Sequence, residues 1–311
     1  MLDLLSEVLS RLNIKGMLYF RRAFTPPWGV EVPAYKKVAR FHFALRGKCW
    51  VRVFGVTDPV ALAQGDIIII PHGTAHQLLS EDHLGADIVT MDKILSDTGH
   101  SGEGVQVHAN TKDDGLNELI CGHISFSGDT VHPVFHDLPP YIHMPNYGPT
   151  AGAWMEATLR VISEETGGIR AGGDLIALKL AETVFAHSIR VFLEGKASDE
   201  PGFSGFTDPK IARALQAFHL RPADHWSVAK LAKAAGRSRT GFAQDFATRM
   251  HMTPMQYVTY WRMQIAQQVL AQTKMSIPEI AEQVGYSSES AFARAFKKMV
   301  GITPSRYRTS Q

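Results

Sequence analysis

The sequence predicts an α+β protein in which a small β-barrel precedes an all-helical domain. Short segments rich in Val, Ile and Phe, separated by Gly, Pro and Asp turns, dominate the first half, whereas helical periodicity dominates the end of the chain. The helical end also repeats a motif. At 311 residues the chain is long enough for two such domains.

The first 149 residues carry the barrel pattern. Residues 1–12 alternate Leu and Val with polar residues at helical spacing, which predicts a short amphipathic helix. Six strand-like segments follow, at 37–45, 48–54, 66–70, 87–91, 103–108 and 118–126. Many short strands at this spacing favour a barrel or a sandwich.

Two apolar-faced helical patterns, 150–165 and 174–194, come after the barrel. We interpret 150–194 as a helical dimerisation segment of a homodimer, because such faces need a partner surface. Alternatively, both helices pack on their own barrel. The Gly- and Ser-rich stretch 195–207 predicts a flexible linker to a helical domain at 208–311.

The helical domain contains the same unit twice. A motif running from Leu231 to Ser238 recurs between Ile280 and Ser287, with a glycine at the turn of each copy. Each copy predicts a Ser-capped helix, a tight turn and a second helix, which is a helix-turn-helix. A predicted helix at 255–272 joins them and would be ~27 Å long. That length could place two recognition helices in successive major grooves of double-stranded DNA, roughly 34 Å apart.

The charge is divided unevenly between the two halves. Residues 208–311 contain 15 Lys and Arg against 6 Asp and Glu, a net charge of +9, whereas residues 1–207 contain 17 against 24, a net charge of −7. A basic half joined to an acidic half favours a polyanion as the partner of the basic half.

The remaining composition predicts a cytoplasmic protein with no membrane partner. The N-terminus carries acidic residues where a secretory signal needs basic ones, and no apolar run approaches the roughly 18 residues of a membrane span. The two cysteines, Cys49 and Cys121, provide no disulfide framework, which agrees with a reducing compartment.

About 100 residues at the C-terminus resemble the AraC/XylS family of transcription regulators. The resemblance rests on Arg262-Met263 with Ala266 and Leu270 on the joining helix, on the motif from Ile280 to Lys298, and on Gly301-Ile302-Thr303-Pro304-Ser305-Arg306-Tyr307-Arg308. It implies a sequence-specific regulator that binds double-stranded DNA.

The family pattern also implies which residues touch DNA. The N-terminal and outward positions of the second helix are Ser238, Arg239, Thr240, Ala243 and Gln244 in the first copy, and Ser288, Glu289, Ser290, Ala293 and Arg294 in the second. Arg294 suits a bidentate contact with guanine, and Gln244 could read adenine. Phosphate contacts are expected from Arg237, Lys297, Lys298 and Arg306.

The first copy departs from the pattern at two positions. Asp245 adds a negative charge to its recognition helix, and His251 stands where the second copy has Gly301. A left-handed histidine costs more than a left-handed glycine. We therefore expect the two copies to bind DNA unequally, the first copy less tightly or in a different way.

The barrel resembles the cupin family in one motif. Gly65, Pro71, Gly73 and His76 have the spacing of the second cupin motif, although Ser80 replaces its terminal Asn. The His-x-His and Glu ligands of metal-dependent cupins are absent, and Arg40 occupies the approximate Glu position. This argues against oxidative metal catalysis.

Four side chains in the barrel could bind zinc. Strand parity points His42 and His76 inwards, and Cys121 and His123, two residues apart, point to one side together. Convergence of these four groups would suit tetrahedral zinc. Alternatively, the histidines are hydrogen-bonded residues that line a small-molecule pocket, and Cys121 is a small buried hydrophobe.

Together these observations predict a DNA-binding regulator whose barrel senses a small molecule or a metal and alters DNA binding or contact with RNA polymerase. A bound effector could shift the arrangement of the domains through the linker. Two alternatives remain at this point: a barrel that serves only as a dimerisation scaffold, and a cupin enzyme with an accessory DNA-binding domain.

Overall fold

The computed structural model describes residues 4–11, 15–82, 88–97, 117–126, 138–147, 152–165, 170–195 and 204–310. These residues divide into two compact units. The barrel unit contains the described residues from 15 to 191, and the helical unit contains 4–11 and the described residues after 191.

Two sheets form the barrel unit. The first has the strand order β1 (Lys15–Phe24), β9 (Asn117–Ser125), β3 (Val38–Arg46), β6 (Ile67–Ile70), β10 (Ile142–Met144). The second has the order β5 (Val60–Ala63), β4 (Lys48–Val53), β7 (His76–Leu79), β2 (Gly29–Val32), β8 (Ile88–Thr90). Helix α2 (Met91–Asp97) follows β8 directly.

An apolar core fills the space between the two sheets. Ile68, Ile70 and Leu119 from the first sheet pack with Val30 and Val51 from the second, and all five side chains are buried. Because neighbouring residues of a strand point to opposite faces, the other face of the first sheet carries Phe41, Phe43, Ile67, Ile69 and Ile120, which are also buried. The first sheet is therefore covered on both faces.

Helices α3 (Gly152–Glu165) and α4 (Gly173–Glu194) follow the barrel strands. Glu182 of α4 accepts a hydrogen bond from the amide of Gly16 at 3.0 Å, and the ring of Phe185 lies 6.3 Å from that of Phe126. Helix α4 thus packs on its own barrel, as the alternative interpretation of the segment 150–194 expected.

Five of the six predicted strands are confirmed as β3, β4, β6, β8 and β9, and the sixth, 103–108, lies outside the described residues. Strands β1, β2, β5, β7 and β10 were missed, as was α2. Four of these strands, β2, β5, β7 and β10, are only three or four residues long. Strand β1 includes the basic pair Arg21-Arg22, which interrupts its apolar pattern.

The helical unit begins with the N-terminal helix α1 (Leu4–Arg11). Its Val8 and Leu9 are buried, and the carboxylate of Glu7 bonds Nδ1 of His219 on α6 (Pro209–Leu220). The predicted amphipathic helix is therefore present, but it belongs to the helical unit and not to the barrel. Periodicity identifies an apolar face and does not specify which surface covers it.

The predicted flexible linker is wrong in its last four residues. Ser204–Thr207 forms the short helix α5, in which Ser204 and Gly205 are buried. A Cβ atom on Gly205 would lie 2.2 Å from Sδ of Met250, so this glycine permits close packing. Residues 196–203 lie outside the described part of the chain.

Both predicted helix-turn-helix copies are present. The first is α7 (Val228–Ala235) and α8 (Arg239–Met250), and the second is α10 (Ile277–Gln283) and α11 (Glu289–Val300). Helix α9 (Pro254–Gln272) joins them, and α12 (Pro304–Thr309) follows the second copy. No helix among the described residues is long and apolar enough to cross a membrane.

Candidate nucleic-acid interface and barrel site

Each copy presents its second helix in the same way. The side chains of Ser238 and Ser288 cap α8 and α11 by accepting hydrogen bonds from the amides of Gly241 and Ala291, both at 3.2 Å. The pairs Phe242 and Phe246 on α8, and Phe292 and Phe296 on α11, are fully buried. These aromatic pairs hold one face of each helix inwards and leave the opposite face to solvent.

The predicted DNA-contact residues lie mostly on these outward faces. Exposed side chains are Ser238, Arg239, Thr240, Gln244, Ser288, Glu289, Ser290, Arg294, Lys297, Lys298 and Arg306. Arg237, Ala243 and Ala293 are half-buried. The set is therefore placed where DNA could reach it.

An ion-pair cluster on α8 was missed at the sequence level. The carboxylate of Asp245 accepts a hydrogen bond from Nη1 of Arg237 at 2.6 Å and another from Nε of Arg249 at 2.8 Å. The four-residue spacing of Asp245 and Arg249 is readable from the sequence. The approach of Arg237 depends on the turn between α7 and α8, so spacing alone could not reveal it.

Asp208 extends this cluster towards α6. It caps that helix by accepting hydrogen bonds from the amides of Lys210 at 2.8 Å and Ile211 at 2.9 Å, and it lies 3.9 Å from Nε of Arg249. Partial burial raises the pKa of Asp208, but these amides and the nearby arginines outweigh burial and hold its pKa below the ordinary value. Two carboxylates, one before α6 and one on α8, thus hold the arginines of the first copy.

The second copy has a different charge pattern on its recognition helix. Ala295 stands at the position that corresponds to Asp245, and the exposed Arg294, Lys297 and Lys298 follow one another along α11. Basic residues near a helix C-terminus and on an outward face suit phosphate contacts.

The barrel holds a second cluster, built around a pair of histidines. His42 on β3 and His76 on β7 come from different sheets, and their Nε2 atoms lie 2.7 Å apart. His42 pairs with Cys121 in the register of β3 and β9, and Arg40 pairs with His123. Directly paired residues share a face, so these four side chains point into the barrel.

Hydrogen bonds define the protonation of the two histidines. Burial lowers the pKa of His76 to about 4, and burial, His76 and Arg40 hold the pKa of His42 well below its ordinary value, so both rings are neutral near pH 7. Nδ1 of His76 lies 2.8 Å from the carbonyl oxygen of Thr74, which can only accept, so Nδ1 carries the proton. Nε2 of His76 then accepts the hydrogen bond that Nε2 of His42 donates.

This arrangement leaves Nδ1 of His42 as a buried acceptor. Among the described residues, that atom has no hydrogen-bond partner. Buried polar atoms in folded proteins are nearly always paired, so the exceptions call for an explanation.

The four predicted zinc ligands are not brought together as a metal centre. The described residues contain no group of three or more His, Cys, Asp or Glu side chains that could hold a metal ion. Nε2 of His42 and Nε2 of His76 are instead hydrogen-bonded to each other at 2.7 Å. His123 lies two residues beyond Cys121 on β9 and pairs with Arg40.

Both thiols are buried and protonated. Burial, followed by Asp66, raises the pKa of Cys49 to about 12, and burial, followed by Cys49, raises that of Cys121 above its ordinary value. Such thiols behave as small hydrophobic side chains and not as nucleophiles.

Comparison with known proteins identifies the family of each domain. A cupin family model matches residues 3–194, and a helix-turn-helix domain model matches residues 231–310. A putative AraC-like transcription regulator from Streptomyces antibioticus is 31% identical over 99% of this chain and 98% of its own length. The chain belongs to the AraC family of transcription regulators.

Other AraC-family relatives also match most of the chain. The regulator AlkR from Acinetobacter baylyi is 28% identical over 99% of both chains. RclR from Escherichia coli, an RCS-specific transcriptional activator, is 30% identical over 87% of this chain and 84% of its own length. The helical unit is accordingly the DNA-binding unit, and the cupin domain lies N-terminal to it, as the sequence predicted.

Proposed function

We propose that this AraC-family regulator responds to a small molecule bound in its barrel, in the cytoplasm, and that binding changes its action on DNA or on RNA polymerase. The observation that carries the proposal is the buried Nδ1 atom of His42, which has no partner among the described residues. A ligand with an N–H or O–H group would satisfy this acceptor.

The surroundings of His42 support a polar ligand. Arg40 is only 2% exposed and His76 is fully buried, although the core cluster of the barrel is made of apolar side chains. Polar groups placed in an apolar core are costly to bury and, in proteins, often mark binding sites. No catalytic step forms part of this proposal, since its relatives are regulators.

Ligand screening by thermal shift would test the proposal. A panel of small alcohols, amides and carboxylic acids is screened against the wild type and against His42→Phe, which keeps the ring and removes Nδ1. We expect at least one compound to raise the melting temperature of the wild type only, and to change its affinity for DNA. Equal shifts in both proteins would contradict the role of His42.

We also propose that the regulator is a homodimer that pairs through α3 and α4. These helices expose the large apolar side chains of Trp154, Val161, Leu175 and Ile176, with Leu175 at 61% exposure. The double variant Leu175→Asp/Ile176→Asp should sediment as a monomer at concentrations where the wild type is a dimer. A dimer with no ligand response would support the alternative of a barrel that is only a scaffold.

A further inference from the structure

One arginine of the joining helix contacts both the turn that precedes the first helix-turn-helix copy and the turn within the second. Arg262, on α9, donates hydrogen bonds from Nε to the carbonyl oxygen of Pro222 at 2.9 Å and from Nη2 to that of Asp224 at 2.7 Å. Both carbonyls lie in the turn between α6 and α7, directly before the first copy. The fork of the guanidinium therefore fixes this turn against α9.

The same guanidinium reaches the second copy. Its central carbon lies 5.8 Å from the centre of the Tyr286 ring, in the turn between α10 and α11. The hydroxyl of Tyr286 bonds Thr259 of α9, and its ring packs edge-on against Phe292 at 5.7 Å. Burial lowers the pKa of Arg262, but the side chain stays charged, as arginine does in proteins.

The turn of the second copy also rests directly on the turn before the first. Gly285 has φ +81°, and a Cβ atom there would lie 2.4 Å from the carbonyl oxygen and 2.8 Å from Cα of Ala223. Gly236, at the corresponding position of the first copy, has φ +65° but nothing within 4 Å of such an atom. Backbone conformation alone explains Gly236, whereas Gly285 also permits the second copy to contact the turn that precedes the first.

We propose that Arg262 and Gly285 lock the two copies at one separation and rotation, and so set the spacing between the two DNA subsites that the protein reads. Inserting one base pair moves a subsite by ~3.4 Å and rotates it by roughly 35°. A locked pair of recognition helices cannot follow that displacement, whereas a loose pair can. The proposal rests on DNA binding by the helical unit and is independent of the barrel ligand.

Binding to spacer variants of a selected DNA site would test the lock. Affinities are measured at one stated salt concentration for DNA with the two subsites at the native spacing and with one or two base pairs inserted or deleted. For the wild type we expect each single change to weaken binding at least about tenfold. For Arg262→Ala, binding at the native spacing weakens and the loss per base pair falls to about threefold or less.

Gly285→Ala and Gly236→Ala form a matched pair, because both place a side chain at a positive φ but only the former meets Ala223. Gly285→Ala should broaden the spacing profile in the same way as Arg262→Ala. Gly236→Ala should weaken binding to DNA of every spacing by the same factor and keep the sharp dependence of affinity on spacing.

Binding to a DNA with only the first subsite separates loss of the lock from loss of folding. Arg262→Ala should bind this DNA as the wild type does. If Arg262→Ala fails to fold, Arg262→Lys takes its place, because it keeps the charge but cannot donate two hydrogen bonds in the guanidinium geometry. Arg262→Lys should then show the broadened dependence of affinity on spacing. A wild-type-like sharp profile in Arg262→Lys and Gly285→Ala would overturn the proposal. Failure of the wild type to bind any selected DNA would instead refute DNA reading itself.

Discussion

At the residue scale, Asp245 has a role that its charge alone does not suggest. A carboxylate on a recognition helix looks unfavourable for DNA, yet Asp245 holds Arg237 at 2.6 Å and Arg249 at 2.8 Å. Two arginines of the first copy are therefore partly neutralised, and Arg237, expected at a phosphate, is held by a neighbour. DNA phosphates must compete with Asp245 for these side chains.

Asp245→Asn should strengthen non-specific DNA binding and make it more sensitive to salt. Releasing Arg237 to a phosphate should make the slope of log K against log[salt] more negative by about 1. Partly exposed ion pairs contribute little stability, so the fold should persist. The measurement is binding to random-sequence DNA over a series of salt concentrations. Asp174→Asn, which makes the same charge change on α4, is the control. Identical slopes for both variants and the wild type would show that Asp245 does not compete with DNA for Arg237.

The barrel histidines predict a pH-dependent stability. Burial lowers the pKa of His76 to about 4, and burial and Arg40 lower that of His123 to about 4. In the unfolded chain these groups bind protons below pH ~6.5, so the stabilisation is complete above that pH and is lost as the pH falls towards about 4. The slope should be up to about 1.4 kcal/mol per pH unit for each histidine.

Urea unfolding at about pH 7.5 and about pH 5 would measure this dependence in the relevant pH range. Cys49 and Cys121 are the only two cysteines and both lie in the barrel, so labelling them with dithiodipyridine reports on this unit alone. His76→Gln should reduce the difference between the two pH values, whereas His72→Gln, at an exposed position, should not. An unchanged difference in His76→Gln would show that His76 is not buried in its neutral form.

At the scale of elements, helix ends explain why the helical unit was predictable and the barrel only partly so. The four helices of the two copies are capped by Ser227, Ser238, Ser276 and Ser288. A cap is a local signal, because the side chain bonds an amide three residues ahead. Strands β2 and β10 have no such signal, since their partners β7 and β6 are distant in sequence.

The histidine that ends α8 should be destabilising, as its sequence position predicted. His251 adopts φ +51°, and Gly301 occupies the corresponding end of α11 at φ +88°. His251→Gly should therefore raise the free energy of unfolding of the helical unit by up to about 1 kcal/mol, because it removes left-handed strain. Gly301→His should lower it, and a loss of stability in His251→Gly would show that contacts of the imidazole outweigh the strain.

At the scale of the whole molecule, the sequence predicted both domains but not which unit each segment belongs to. Residues 1–207 carry a net charge of −7 and residues 208–311 a net charge of +9. This difference and the repeated motif predicted a DNA-binding C-terminal domain, which the family match confirms. Neither periodicity nor composition shows that α1 packs on α6, that Gly205 meets Met250, or that Arg262 joins the two copies. These contacts arise from packing between residues far apart in sequence.

The central claim is that two unequal helix-turn-helix copies read two neighbouring stretches of DNA. Selection of bound sequences from a random DNA library, with the wild type and Arg294→Ala compared at one salt concentration, tests it most directly. We predict a two-part motif at one spacing, and loss of one base preference in the second part for Arg294→Ala, at a cost of ~1–3 kcal/mol. A one-part motif, or the same motif and affinity in Arg294→Ala, would contradict the claim.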